Sequence, residues 1–594
     1  MDFLRIFDIL PYQKERFPSK TAISAKRNKT WSSYSIEQCM QEVNRVSAGL
    51  LRLGIQKGDK VGILSRHGSP EWIFFDLGAQ QIGVVVVPIH ASLTNQELQY
   101  IAAESEIKIC AVADQAQYEL VHSLQAALPQ LKYLYAMEAL PGLPSWKDLI
   151  GSDPTQEELQ QIEVLKNEVK EQQLATIIYT SGTSGNPKGV MLSHLNIVSN
   201  IKSVIPLIPV DAGKRVFSFL PPSHIFERMV TYTYLATGAS IYYPQNLENL
   251  LADIKQVRPH YFTAVPKVLE RAYDALIHNA AQRSGIVRKL IQWAISLGKH
   301  YKENRRIQMP DYWFQHRLAH LLVFYWWRRQ LGGRLKGIIV GAAALPPQLG
   351  KLLAAAGIPV REGYGLTETS PVVAFNRFEP GGVRFGTVGI PVPGVEVKIN
   401  QPNEQGEGEI LVRGPNVMMG YYKKEAETNS VLDKDGWLHT GDVGQIVFKH
   451  FLRITDRQKD IFKTTSGLYV APQYVEHQFT ASPLIEQCMV MGFNRPYAVA
   501  LILPYFPALK RWCEENKVHW TAPQYMVLNP KVLKKMEQEV ERINESLSHH
   551  QRIKKFHLLY QKWTTESGEL TPTLKAKRKF ISDKYQKEIE LLYE

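Results

Sequence analysis

The densest group of chemically useful residues is the run Tyr179-Thr-Ser-Gly-Thr-Ser-Gly-Asn-Pro-Lys-Gly189. Gly182 and Gly185 let backbone N–H groups turn towards an anion. The hydroxyls of Thr180, Ser181, Thr183 and Ser184 add donors, and Lys188 adds a positive charge. The chemistry this suits is the cradling of a polyphosphate. The spacing is not that of a Walker A loop, G-x-x-x-x-G-K-[ST]. Five positions after Gly182 stands Pro187, and Lys188 is followed by Gly189. The P-loop NTPases are therefore excluded. A plain glycine-rich turn would have little use for so many donors.

Such a loop needs rigid elements to aim it. The apolar run Ala175 to Tyr179 predicts a buried strand leading into it, and Ser193 predicts the N-cap of a following helix. The same texture recurs. A periodic helix over Val43 to Leu53 precedes a strand-like run, Val61 to Leu64, and further runs follow at Gly83 to Pro88, Val216 to Leu220 and Gly337 to Val340. This alternation predicts an α/β fold with largely parallel sheets, whose ligands collect at strand ends. From about residue 380 Gly and Pro crowd together, and Val395 to Ile399 and Glu409 to Val412 alternate as short strands. That predicts a small antiparallel subdomain. A charged stretch follows at 456–463. With 594 residues the chain is too long for one core. The expected layout is an N-terminal domain over 1–456, a connecting segment at 457–463, and a small C-terminal α/β domain over 464–594.

Composition narrows the class. With 44% hydrophobic and 21% charged residues the chain reads as globular, not disordered. Its four cysteines, Cys39, Cys110, Cys488 and Cys513, form no C-x-x-C pair, which argues against a disulfide scaffold and fits a reducing, cytoplasmic setting. No run approaches the ~20 apolar residues of a membrane span. The net charge is +13, and much of it lies between Arg283 and Lys336, where 12 Lys and Arg face only Glu303 and Asp311. So local an excess argues against a nucleic-acid partner and points to anionic lipid or an acidic ligand.

Further motifs follow in order: Leu220-Pro-Pro-Ser-His-Ile-Phe-Glu-Arg228, Gly341-Ala-Ala-Ala-Leu345, Gly363-Tyr-Gly-Leu-Thr-Glu-Thr369, Leu438-His-Thr-Gly-Asp442, Asp456-Arg-Gln-Lys-Asp460 and Leu570-Thr-Pro-Thr-Leu-Lys-Ala-Lys-Arg578. With the glycine-hydroxyl loop they resemble the adenylate-forming superfamily, which includes acyl-CoA synthetases, adenylation domains of peptide synthetases and firefly-type luciferases. The resemblance runs from about residue 30 to about 580. It implies ATP and Mg²⁺ bound at Thr180, Ser181, Gly182, Thr183, Ser184, Gly185 and Lys188. His224 would lie beside the substrate carboxylate. Gly341, Ala342 and Ala343 would let adenine approach the backbone, and Tyr364, between Gly363 and Gly365, would stack on it. Thr367 would touch the α-phosphate, and Glu368 with Thr183 would hold the metal, since magnesium prefers hard oxygen donors. Asp442 would accept from the ribose hydroxyls and Arg457 would contact ribose or phosphate. Lys459 matches the hinge position and Lys575 the adenylation lysine, with Lys577 as its neighbour and competitor.

The implied chemistry has two steps. A carboxylate attacks the α-phosphorus of ATP, giving an acyl-adenylate and pyrophosphate. The C-terminal domain then swings about the hinge, and a thiol, that of coenzyme A, takes the acyl group. One departure touches the thiol site: the long-chain pattern K-T-S-G-G-K-Y reads here Lys463-Thr-Thr-Ser-Gly-Leu-Tyr469. The segment Lys267 to Lys336 resembles the insertion of long-chain synthetases, which implies a long-chain fatty acid as substrate. Its Trp293, Trp313, Trp326 and Trp327 among basic residues suit contact with an anionic membrane, or else a helical pair packed on the domain with a solvated basic face. An acyl-carrier-protein ligase and a non-catalytic lipid-binding relative are the other readings. Neither oligomeric state nor exact chain length is legible.

Overall fold

Val61, Ile63 and Val85 to Val87 are buried to within a few per cent because their strands carry helices on both faces. The computed structural model describes residues 3–138, 140–180, 186–281, 285–303, 310–457, 462–465, 469–565, 567–571 and 576–594. Two large parallel-rich sheets dominate it. In the first, seven strands run in the order Gly420–Tyr421, Lys188–Ser193, Leu174–Thr180, Val85–His90, Lys60–Ser65, Ile107–Val112, Tyr133–Ala136. Only its first two pairings are antiparallel. In the second sheet, of nine strands, the parallel centre is Val360–Gly365, Gly337–Val340, Tyr261–Ala264, Arg215–Phe217, Ser240–Tyr243 and Ile23–Arg27. The strand Gly337–Val340 has the bounds its apolar run predicts. The run Val216 to Leu220 does not: the strand stops at Phe217, ahead of Pro221 and Pro222, although Phe219 and Leu220 remain buried.

Ser193 caps the helix His194–Val204 by accepting from the Asn196 N–H, as its hydroxyl next to an apolar-periodic run predicts. Between loop and helix lies an element the sequence reading passed over. Lys188 opens a strand that pairs antiparallel with Leu174–Thr180, so the glycine-hydroxyl run is the connection of a hairpin. Val190 and Leu192 face the core at the period of two a strand requires.

The helix Ile225–Ala236 ties the two sheets together. From one face Glu227 accepts from Ser218 and Thr263 of the second sheet. From the other, the fully buried Arg228 donates to Thr176 of the first sheet, to the Tyr232 oxygen and to Asp76 on the helix Pro70–Gln80. Tyr232 and Gln80 also donate to Asp76, so this buried charge pair is hydrogen-bonded on several sides.

Four antiparallel strands, Glu396–Asn400, Gly408–Arg413, Leu438–Val447 and Phe451–Arg457, form a third sheet. Beyond it the chain builds separate apolar clusters around a sheet of Ile485–Met491, Ala498–Pro504 and Ile553–Leu558. The basic insertion is a series of helices: Pro266–Ala281, Gly285–Lys299, Pro310–Ala319 and Tyr325–Gln330, with a π-helical segment His320–Phe324 before the last. Trp327 is buried and Trp293 packs partly buried against the same core, whereas Trp313 and Trp326 face solvent. Among the described residues no helix is long and apolar enough to cross a membrane. All four cysteines are buried free thiols, and burial pushes Cys39 and Cys110 up to about 12, which leaves them unreactive.

Candidate functional site

Parallel strands of both sheets end at one cleft of about 3990 Å³. That is several times a single small-molecule pocket, so it comprises several subsites. Thr180, Lys188, His224, Gly341, Ala342, Ala343, Gly363, Tyr364, Gly365, Thr367, Glu368, Asp442 and Arg457 all line it. Ser181, Gly182, Thr183, Ser184, Gly185, Lys459 and Lys575 lie outside the described residues.

The hairpin register fixes the first corner. Thr180 and Lys188 are paired across the strands that carry the loop. Lys188 Nζ lies 5.1 Å from the centre of the Tyr421 ring. Tyr421 belongs to the two-residue edge strand, paired with Val190, and its hydroxyl donates to Glu368 Oε1 at 3.0 Å. Glu368 sits in the tight turn Thr367–Thr369, and its backbone oxygen accepts the Met418 N–H at 2.9 Å. Lys188 and Glu368, about 180 residues apart in the chain, thus converge on one tyrosine. Burial, then the Glu368 charge, pushes the Tyr421 hydroxyl well above its usual value, so it stays protonated and remains a donor.

A second corner lies at the third sheet. Asp442 and Arg457 are directly opposite in the strand register. Arg457 Nε donates to Asp442 Oδ1 at 2.9 Å, and the Tyr364 hydroxyl donates to Oδ2 at 2.7 Å. The strand Val360–Gly365 serves both corners from its C-terminal end: Tyr364 is its penultimate residue, and the Glu368 turn follows just beyond Gly365. Its close approach to Val372–Phe375 requires Gly365: a Cβ there would stand 1.6 Å from the Pro371 oxygen. At Gly341 a Cβ would meet the Phe226 ring at 3.1 Å, so a small residue keeps that wall open.

His224 directly precedes the helix Ile225–Ala236, and its ring lies 5.4 Å from that of His90 at the end of Val85–His90. Burial, with a smaller contribution from Arg66, lowers His90 to about 4, so this ring is neutral near pH 7. Two buried carboxyl groups of the cleft lining are shifted the other way by burial. Glu227 is raised to about 7 and Glu362, which accepts the Leu345 N–H at 3.0 Å, to about 8.

Sequence reasoning missed Tyr421 and His90. For His90 a signal existed: a polar residue closing a buried strand run, as at Thr180. For Tyr421 there was none, because a two-residue strand has no periodicity.

A cleft at the switch between two parallel-rich sheets, roofed by a further α/β unit and carrying these polar corners, defines an adenylate-forming enzyme of the acyl-CoA ligase class. Residues 10–422 match the AMP-binding enzymes and residues 459–594 the AMP-binding enzyme C-terminal domain. The chain belongs to the AMP-binding enzyme family. Among its relatives, the long-chain-fatty-acid–CoA ligase FadD15 of Mycobacterium bovis is 30% identical, over 95% of this chain and 92% of its own length. Long-chain-fatty-acid–CoA ligase 6 of Rattus norvegicus is 31% identical, over 95% and 82%. ATP-bound MatB from Rhodopseudomonas palustris shares the fold with a TM-score of 0.73 at 21% identity, covering 98% of this chain and 99% of that one. The adenylation domain of a carboxylate reductase from Mycobacterium chelonae gives 0.75 at 21%, covering 100% and 92%.

Proposed function

We propose that the protein activates a long-chain fatty acid with ATP and transfers the acyl group to coenzyme A. The convergence of Lys188 and Glu368 on Tyr421, in the cleft that also holds Tyr364, Asp442 and Arg457, carries this reading. In the first step a carboxylate oxygen bonds to the α-phosphorus as the bond to pyrophosphate breaks. Holding two anions together and neutralising the added charge is the task. Lys188, its loop and Lys575 would supply positive potential around the phosphates. Asp442 would accept the ribose hydroxyls, Arg457 would contact ribose or phosphate, Tyr364 would lie against adenine, and His224 beside the acid. Glu368 is a half-buried hard-oxygen donor held at one oxygen by Tyr421, which fits Mg²⁺, with Thr183 as the hydroxyl partner. When bound, the metal supplies charge at the phosphate oxygens. No covalent nucleophile on the enzyme is needed.

In the second step the C-terminal part would turn about Lys459, withdrawing Lys575 so that the thiol, losing its proton, can attack the acyl carbon; the C–S bond would form as the bond from the acyl carbon to the phosphate oxygen breaks and AMP leaves. The long acyl chain is supported by the names of the relatives and by apolar side chains in the cleft wall, among them Phe226, Met229, Val230, Ile339 and Leu349. The test is ATP–pyrophosphate exchange with acids from acetate to oleate, followed by capture of the product with coenzyme A or acyl-carrier protein. Oleate and palmitate should far outpace acetate and yield the coenzyme A thioester. Transfer only to the carrier protein would change the acceptor, and fatty-acid binding without any exchange would leave a lipid-binding protein.

A further inference from the structure

A second cavity, of about 620 Å³, lies where the insertion's helix Gly285–Lys299 and the helix Pro347–Ala355 meet the C-terminal part. Gly298 lets the two helices lie close: a Cβ there would stand 2.5 Å from Leu352 Cδ1. Lys299 at the end of one helix and Lys351 on the other thereby reach the same cavity, and Lys302, just past the first helix, joins them. From the C-terminal part Arg542, on the helix Pro530–Asn544, lines the opposite side with Gln478 and Ser482.

Among the described residues no carboxylate lines this cavity, whereas Lys299, Lys302, Lys351 and Arg542 all do. Glu539 stands behind Arg542, accepting from its Nη2 at 2.6 Å and from the Ser482 hydroxyl at 2.6 Å. That leaves four cations against one carboxylate. Among the described residues no ion pair engages Lys299 or Lys351. Like charges facing one another across a seam are unfavourable. Elsewhere on the same seam Lys577 meets Glu97, a pairing of opposite signs. A multiply charged anion between the two sides turns the repulsion into attraction, and the volume is that of a small-molecule site.

We propose that this cavity binds a polyphosphate, free or carried by a nucleoside, and that the bound anion holds the C-terminal part against the insertion. The lysines approach from one side and Arg542 from the other, so the bridge exists only while both sides face the anion. Binding therefore favours this orientation over any other. Lys299, Gln348 and Gln478 line both this cavity and the catalytic cleft, so the two compartments adjoin, but Lys351 and Arg542 line the second alone. In this orientation Ala576 and Lys577 line the catalytic cleft. The effect on the reaction rests on the proposed function: an occupied cavity favours the step that needs Lys575 and slows the thioester step, which needs the turn. The binding itself does not rest on it.

The test is calorimetric titration of the full-length protein with inorganic tripolyphosphate and, separately, with GDP. A Lys188→Gln background weakens the competing phosphate loop. In that background at least one of the two probes should bind saturably, and more weakly at high salt. Lys351→Gln and Arg542→Gln should each weaken this binding about ten-fold or more. Where Arg542→Gln lowers the thermal melt by releasing Glu539, Lys351→Gln carries the comparison. Tighter binding of GDP assigns the site to a nucleoside polyphosphate, and tighter binding of tripolyphosphate to the free anion. With Lys188 intact, the tighter probe should slow thioester formation from supplied acyl-adenylate several-fold. Lys351→Gln should lose that response and keep the rate seen without the probe. No binding in the Lys188→Gln protein, or binding that Lys351→Gln leaves unchanged, overturns the proposal. Binding that depends on Lys351 but leaves the thioester step untouched overturns the hold on the C-terminal part. A protein that binds the probe through Lys351 yet forms no adenylate refutes the function proposed above and leaves this site standing.

Discussion

Tyr421 gives the cleft two separable contributions: a ring face towards Lys188 and a hydroxyl towards Glu368. Tyr421→Phe keeps the first and removes the second. A hydrogen bond to a charged group contributes about 1.5–3 kcal/mol, so kcat/KM for magnesium-ATP should fall about ten-fold or more, with a raised Mg²⁺ requirement. An unchanged Mg²⁺ titration would mean the hydroxyl does not serve Glu368 in the working enzyme. Buried titratable groups make a second residue-scale prediction. Burial lowers His90 to about 4 and His194 to about 3 from 6.5, and raises Glu227 to about 7 and Glu362 to about 8 from 4.5. Below pH 6.5 the unfolded chain takes up protons that the native histidines refuse, so their effect is to lower stability as pH falls. Above pH 4.5 the unfolded chain releases protons that the native glutamates keep, so their effect is to lower stability as pH rises. Between 4.5 and 6.5 the two oppose, and above 6.5 only the glutamates act. Stability should therefore decline from pH 6.5 to about 8, and Glu362→Gln should flatten that decline by up to about 1.4 kcal/mol per pH unit. Thermal melts of both proteins at the two ends of this range check it, and equal slopes would refute it.

At the scale of elements, the contact between the helices Pro70–Gln80 and Ile225–Ala236 and the strand Leu174–Thr180 is a charge pair with no exposure to water. Asp76→Ala leaves the Arg228 guanidinium buried without its counter-charge, at about 3–5 kcal/mol. Since that strand ends at Thr180 and that helix begins after His224, a lower denaturant midpoint should come with loss of pyrophosphate exchange. Exchange at the wild-type rate in the folded variant would uncouple this network from the cleft. The elements also show what sequence can and cannot convey. Gly337–Val340 was legible to the residue because a buried parallel strand is a continuous apolar run bounded by Lys336 and Gly341. Lys188–Ser193 was not, because its first two residues read equally well as loop. The pairing of Asp442 with Arg457 was present in the sequence only as two separate motifs, since register is a tertiary property. The four tryptophans of the insertion read as one group. Helix phase separates them, two inward and two outward, and a break in phase at the π-helical segment is invisible to a count of residue types.

At the scale of the whole molecule, the C-terminal part meets the first sheet's flank through Lys577, whose Nζ lies 3.5 Å from Glu97 on the helix Asn95–Ser105. The same lysine's N–H bonds the Glu569 oxygen at 2.7 Å, and Leu570 bridges to Ala576. These contacts pair the described residues Glu569 and Leu570 with Lys577 and Ala576; Lys575 lies outside the described residues. A partly exposed pair such as Lys577–Glu97 contributes at most about 1 kcal/mol. On the proposed mechanism Lys575 is needed only in the first of these. Lys575→Ala should lower acid-dependent pyrophosphate exchange by about a hundred-fold or more and leave thioester formation from supplied acyl-adenylate near wild type. Lys577→Ala should keep both activities within about three-fold, because it loses only the light contact with Glu97. The opposite pattern would transfer the role to Lys577. Equal loss of both half-reactions in Lys575→Ala would mean that the lysine never leaves the cleft and that the C-terminal part does not turn.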